Sequence, residues 1–188
     1  MHSLIATTAL GGTEAQIDTI AGLTITECPY WAIASVAARS NSEKPMATAF
    51  KKAMGFGLPK PMQSTGKDGI TAFWIGPDQY FIEAPIADNE LLADTLATTL
   101  KQTASITEQT GGWVRFDVAG SGCSDVSERL CILDTRTMDE GAVSRTSLEH
   151  SGCFILCRKS DHFSVYGPRS TAGSIHHALV TAAKSALG

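Results

Sequence analysis

Apolar and polar positions along the chain follow one pattern that occurs twice. Gly76-Pro77-Asp78-Gln79-Tyr80-Phe81-Ile82-Glu83-Ala84-Pro85 is answered by Lys159-Ser160-Asp161-His162-Phe163-Ser164-Val165-Tyr166-Gly167-Pro168, with one constant offset of 83 positions, as Asp78 and Asp161, Tyr80 and Phe163, and Pro85 and Pro168 show. Both stretches read as the end of a strand, a tight polar turn, and a second strand with its exit. An apolar run precedes each (Ala72 to Ile75, Cys153 to Cys157), and a helix-like run follows each (Asn89 to Lys101, Thr171 to Ser185). Upstream the match continues through a short strand (Trp31 to Ala37, Trp113 to Val118), a helical segment (Lys44 to Met54, Ser124 to Leu130) and a Leu-centred exit (Leu58-Pro59, Leu133-Asp134). Each half is therefore expected to be a β-α-β-β-α unit, as internal self-similarity implies a repeated supersecondary structure. The predicted fold class is α+β: two duplicated units packed together, with an antiparallel or mixed sheet and helices on one face.

Local signals place the elements. Pro45 suits a helix's first turn, Met46, Ala49, Phe50 and Ala53 share one face, and Gly55 and Gly57 stop the run. Residues 58 to 69 are rich in breakers (Pro59, Pro61, Gly66, Asp68-Gly69) and read as loop. Asn89 offers a cap for a helix striped by Leu91, Leu92, Leu96 and Leu100. Gly111-Gly112 divides the halves. Phe116 and Val118 alternate with charged or small residues, as on a strand. Residues 133 to 147 read as a polar loop, and a last helix carries Ile175, Leu179 and Ala182 on one face. Residues 1–28, rich in Thr, Ala and Gly, are predicted to be an extended segment ahead of a domain over 29–188, with pseudo-repeats at about 31–110 and 111–188.

Composition narrows the function classes. At 188 residues with 43% hydrophobic content the chain can build a sizeable core. With 15 Lys+Arg against 19 Asp+Glu the net charge is −4, which gives no attraction to phosphate backbones or anionic lipid. The N-terminus lacks a basic region, two threonines interrupt its apolar stretch, and no window approaches the roughly 20 apolar residues of a spanning helix. The expectation is a soluble, cytoplasmic protein.

Chemistry-bearing residues form no complete motif. Five cysteines (Cys28, Cys123, Cys131, Cys153, Cys157) are an odd count and read as reduced, buried thiols. A zinc site would need further ligands, and only His162 is near Cys153 and Cys157. Gly120-Ser121-Gly122-Cys123-Ser124 sits where a phosphate-binding turn would, but Asp125 takes the third-glycine position and no Walker-type lysine is present. Of His2, His150, His162, His176 and His177, the adjacent pair can send at most one ring to the core. Asp125 and Glu128 share a helix face without further signal of acid–base work. Arg145, expected on a loop, is read as a structural or interface residue. No catalytic, cofactor-binding or metal-binding residue is assigned.

The succession Val36-Ala37-Ala38-Arg39, Gly57-Leu58-Pro59, Trp74-Ile75-Gly76-Pro77-Asp78-Gln79-Tyr80, Leu133-Asp134, Arg145-Thr146, Phe163-Ser164-Val165 and Arg169-Ser170 resembles the gamma-subunit family of heterotetrameric sarcosine oxidases. That family is related in fold to the folate-binding glycine-cleavage T-protein group. The resemblance covers about residues 31 to 185, and Trp-Ile-Gly-Pro-Asp is its most specific segment; the Thr-rich N-terminus and Ser40-Asn41-Ser42 depart from it. It implies a subunit without a cofactor of its own, partnered by alpha and beta chains carrying FAD, FMN, NAD and tetrahydrofolate and by a zinc-binding delta chain. The whole complex would oxidise the N-methyl group of sarcosine and pass the one-carbon unit to tetrahydrofolate. Gamma-type subunits of N-methylglutamate dehydrogenase, a free-standing folate-dependent one-carbon enzyme and a regulatory module for a small acid stand beside this reading.

Overall fold

The structure, a computed structural model, describes residues 5–188. It is α+β, built from antiparallel sheets with helices against one face of each. The elements in chain order are β1 (Ile17–Ile20), β2 (Leu23–Glu27), β3 (Trp31–Ala38), α1 (Glu43–Met54), β4 (Ser64–Lys67), β5 (Ile70–Gly76), β6 (Gln79–Pro85), α2 (Ile86–Asn89), α3 (Leu92–Leu100), β7 (Ala104–Glu108), β8 (Trp113–Gly120), α4 (Cys123–Leu130), β9 (Val143–Leu148), β10 (Ser151–Lys159), β11 (His162–Pro168) and α5 (Ala172–Leu187). The chain divides into two compact units. One holds residues through Pro29 with Gly112–Glu140 and Ser144–Gly188; the other holds Tyr30–Gly111 with Gly141–Val143. No helix among the described residues is long and apolar enough to cross a membrane.

Each unit repeats the other closely. The sheet orders are β2-β8-β11-β10-β9, with β1 added at the outer edge, and β7-β3-β6-β5-β4. β3 and β8 bury the same four positions: Ala32, Ile33, Ala34 and Val36 in one, Val114, Arg115, Phe116 and Val118 in the other. The hairpins match to the residue: pairing slips between Trp74 and Gly76 in β5, and between Cys157 and Lys159 in β10. The Asp78 carbonyl accepts the Ala38 N–H at 3.0 Å, and the Asp161 carbonyl accepts the Gly120 N–H at 2.9 Å. These turns are closed through backbone oxygens, and neither carboxylate is hydrogen-bonded among the described residues.

The core of each unit lies between sheet and helices. In the first, Val114, Phe116, Val118, Ile155, Phe163 and Val165 meet Ile175, Leu179 and Val126. In the second, Ala32, Ala34, Val36, Ala72 and Ile82 meet Met46, Phe50, Leu92, Leu96 and Leu100. The i, i+4 spacing of Met46 and Phe50, and of Leu92, Leu96 and Leu100, puts them on the faces that are buried. Gly55 ends α1 with φ +73°, and its N–H bonds the Lys51 carbonyl at 3.0 Å.

Several expectations are corrected. Residues 17–27 are a hairpin added to the sheet through β8, where an extended segment was expected. Asn89 closes the short α2, its side chain donating to the Pro85 carbonyl at 3.0 Å, and Leu91 stands at the cap of α3. The breaker-rich stretch before Ile70 contains β4, and the polar stretch after Leu133 contains β9. Both added strands are short edges, where pairing to a single neighbour lets polar residues serve.

The leading strands carry a further regularity. Leu23-Thr24-Ile25-Thr26-Glu27 and Ala104-Ser105-Ile106-Thr107-Glu108 are matched in sequence. β2 precedes β3 in the chain yet pairs with β8, setting Ile25 opposite Val118. β7 precedes β8 yet pairs with β3, setting Ile106 opposite Val36. Counted from these two strands rather than from β3 and β8, each repeat lends its first strand to the unit built on the other repeat's next strand.

Candidate functional site

Side chains alternate across a strand, so β8 turns Val114, Phe116 and Val118 toward the helices and Arg115 and Asp117 to the other face. Ser164 and Tyr166 of β11 and Arg158 of β10 share that second face. Asp117 is the centre. Its Oδ1 accepts Arg115 Nε at 2.8 Å and Ser164 Oγ at 2.6 Å, and its Oδ2 accepts Arg115 Nη2 at 2.7 Å. Arg158 extends the chain, donating from Nε to Ser164 Oγ at 2.9 Å and from Nη2 to Tyr166 Oη at 2.5 Å. His162 Nε2 lies 3.3 Å from Asp117 Oδ2, within ion-pair range but off the line that a hydrogen bond requires. Arg115 and Asp117 side chains are 7% and 18% exposed, and Ser164 and Tyr166 are fully buried.

The bidentate Arg–Asp pair belongs to one repeat. The matching positions of the other are Ile33 for Arg115, Ser35 for Asp117, Ile75 for Arg158 and Phe81 for Ser164, with Glu83 for Tyr166. The same sheet is therefore built without the bidentate ion pair. A buried ion pair is a poor stabiliser relative to well-packed apolar groups. The bidentate Arg115–Asp117 pair with its linked hydroxyls is accordingly the candidate functional feature of this chain, while the matching face of the other repeat carries the buried Glu83.

Its chemistry is electrostatic anchoring. Burial by itself pushes the Asp117 carboxyl up, but His162, the Arg115 guanidinium and the Ser164 hydroxyl together hold it well below the usual carboxylate range. An acid so strong is a poor general base near neutral pH. Cys28 follows β2 and is tied in by its N–H to the Arg115 carbonyl at 2.9 Å. Burial, reinforced by the Asp117 charge, pushes its thiol up to about 12, far from a thiolate nucleophile.

The residues singled out in the sequence fall elsewhere. Cys123, Cys153 and Cys157 lie in the core of their unit and Cys131 is half-buried against it, all unbridged. Burial raises Cys123, Cys153 (to about 11) and Cys157. Gly120 and Gly122 have φ +114° and +83°, and a Cβ on Gly120 would meet the Gly22 carbonyl at 2.3 Å. Close backbone approach at Gly120, and a left-handed φ beside the Leu187 side chain at Gly122, explain these glycines without a phosphate. His176 turns inward, 2.8 Å from Asp18 and tilted on Phe116, while His177 is exposed. His150 occupies the β9–β10 turn, and His2 lies outside the described residues. Asp125 and Glu128 are bridged by Arg136. Arg145 stands on β9, where a loop was expected, with its guanidinium 6.0 Å from the Phe154 ring centre.

Sequence reasoning missed Arg115, Asp117, Arg158, Ser164 and Tyr166. Polar residues alternating on a strand read as a solvated face. The signal that could have found them is the repeat itself, because polar residues in one copy stand where the other has Ile33, Ile75 and Phe81.

No protein-family model matches the chain, and no curated protein matches it. Among solved structures, a chain of the heterotetrameric sarcosine oxidase from Corynebacterium sp. U-96, in complex with pyrrole 2-carboxylate, matches with TM-score 0.78 and 20% identity, over 92% of this chain and 89% of that one. The glycine cleavage system aminomethyltransferase T from Bartonella henselae matches with TM-score 0.62 and 11% identity, over 90% of this chain; the chain spans about half of that protein, 51%. At these identities the likeness is one of fold, and the chain has the fold that these two proteins share.

Proposed function

We propose that this chain is a non-catalytic, gamma-type subunit of a flavoenzyme complex of the heterotetrameric sarcosine oxidase kind. The observation that carries the reading is agreement in fold over nearly the whole of both chains, 92% of this one and 89% of the sarcosine oxidase chain. Against the aminomethyltransferase the chain accounts for only 51%, as a portion of a larger enzyme would. The polar network supports the same reading, since Asp117 is engaged by Arg115 and Ser164.

In this reading alpha, beta and delta chains hold FAD, FMN, NAD, tetrahydrofolate and zinc. The complex demethylates sarcosine oxidatively and passes the one-carbon unit to tetrahydrofolate. The chain contributes fold and contact surface, and Asp117 and Arg115 fix the geometry of one sheet face.

The test is affinity purification of the tagged chain from its native host, followed by intact-complex mass spectrometry and absorbance spectroscopy. The expected result is a four-component flavin-containing assembly and a colourless isolated chain. A stoichiometric flavin on the isolated chain, or its recovery as a folate-binding enzyme without partners, overturns the proposal.

A further inference from the structure

A cleft of about 510 Å³ opens within the first unit between α4, α5 and the β9–β10 turn. Its volume falls within the range of small-molecule sites. The floor is Leu130 with the buried Ala178 and Ala182, whose small side chains leave the space. His177, Thr181 and Ser185 follow one another at single turns of α5 and form one polar wall. Arg129 and Glu149 complete the lining.

The charges on this rim are uncommitted. Asp125 lies four residues before Arg129, the favoured spacing for an ion pair along a helix. Arg136 takes that carboxylate instead, together with Glu128. Among the described residues Arg129 is left with one hydrogen bond, from Nη1 to Ser185 Oγ at 3.2 Å, which steadies its guanidinium at the cleft wall. Among the described residues, Glu149 and His177 make neither hydrogen bond nor ion pair. Glu149 and His150 both hold positive φ, +46° and +65°, in a turn where Asn-Gly would be unstrained. An unpaired cation and an unpaired anion therefore line one apolar-floored cleft.

We propose that this cleft binds a free aliphatic amino acid, its carboxylate on the Arg129 guanidinium and its ammonium on Glu149, with the side chain over Leu130, Ala178 and Ala182. A free amino acid carries both charges on adjacent atoms beside an apolar group, whereas a chain terminus carries only one of them. Guanidinium suits a carboxylate through paired N–H donors. The site is separate from the Asp117 network and does not depend on the assembly proposed above.

The test is a titration of the isotope-labelled full-length chain with L-leucine, followed by amide chemical shifts. The controls are 4-methylpentanoate, which lacks the ammonium, and isoamylamine, which lacks the carboxylate. The expected result is saturable shifts at α4, α5 and the β9–β10 turn, with each one-charge analogue weaker by about tenfold or more, as loss of one charge-assisted contact implies. Arg129→Gln and Glu149→Gln should each weaken leucine by a similar factor. Thr181→Trp, an exposed change that fills the cleft, should abolish binding with an unchanged melting temperature. Absence of saturation up to about 50 mM, which corresponds to negligible affinity, overturns the proposal. So do equal affinities for leucine and its analogues, or wild-type binding by folded Arg129→Gln and Glu149→Gln.

Discussion

At the scale of single residues, Asp117 decides most. Its carboxyl titrates lower in the folded chain than the roughly 3.9 of an unfolded aspartate. A depressed carboxylate contributes stability that is complete above the unfolded value and is lost as pH falls through it toward the folded value. Wild type should therefore lose stability on acidification from about pH 5 to pH 3. Asp117→Asn removes the carboxylate charge from its buried, bidentate pair with Arg115 and should cost about 3 kcal/mol at neutral pH. It should also flatten that acid decline. Urea unfolding of both proteins at a series of pH values checks this; parallel curves would show that Asp117 contributes no charge-dependent stability. Thiol chemistry offers an independent check, with Cys28 on the Asp117 face and Cys153 in the core. With Cys28 pushed up to about 12 and Cys153 to about 11, neither should react with a maleimide in the native protein, and both should react once urea unfolds it. Rapid native labelling of Cys28 would contradict its burial beside Asp117.

At the scale of elements, the junction between β8 and α4 shows how packing selects residues. A Cβ at Gly120 would lie 2.3 Å from the Gly22 carbonyl, which belongs to the β1–β2 turn and is backbone. A Cβ at Gly122 would lie 2.5 Å from Leu187 Cδ2, the mobile end of a side chain near the end of α5. Both φ angles are positive, so both substitutions carry left-handed strain. Gly122→Ala should cost about 1 kcal/mol, because Leu187 can swing aside. Gly120→Ala should cost more, about 3 kcal/mol, because the two backbones must separate. Thermal melts of the two variants measure the difference, and equal costs would refute the assignment of Gly120 to close backbone approach.

At the scale of the whole molecule, the exchange of leading strands has a direct consequence for cutting the chain. β2 lies in the first half of the sequence yet completes the sheet of β8 in the second half, along five residue pairs from Leu23 and Gly120 to Glu27 and Phe116. Residues 141–143 lie in the second half and bond to the segment at Met62 to Ser64, through Ser64 N–H to the Gly141 carbonyl at 2.7 Å and Val143 N–H to the Met62 carbonyl at 2.8 Å. A protease site placed between Gly111 and Gly112, which follow β7, should therefore give two fragments that elute together in native buffer and separate only in denaturant. Fragments that separate spontaneously under native conditions would contradict this pairing.

Repetition was legible in the chain because hairpin geometry is local. Pro77-Asp78 and Ser160-Asp161 turn the chain at matched positions, and the strands that flank them turn successive side chains to opposite faces whatever else surrounds them. Helices α1, α3 and α5 were legible for the same reason, their apolar residues recurring at the helical period. The edge strands β4 and β9 were not, because a strand paired on one side can be short and polar. Nor did the sequence decide the partner of β2. β3 and β8 bury the same positions and both offer Ala or Val to an incoming isoleucine, so Leu23-Thr24-Ile25-Thr26-Glu27 would satisfy either. Only the closed tertiary structure sends it to β8. The same structure turns Arg115 and Asp117 from an ordinary polar alternation into a buried ion pair, since burial of the second face of a sheet depends on the folded surroundings and not on the strand that carries it.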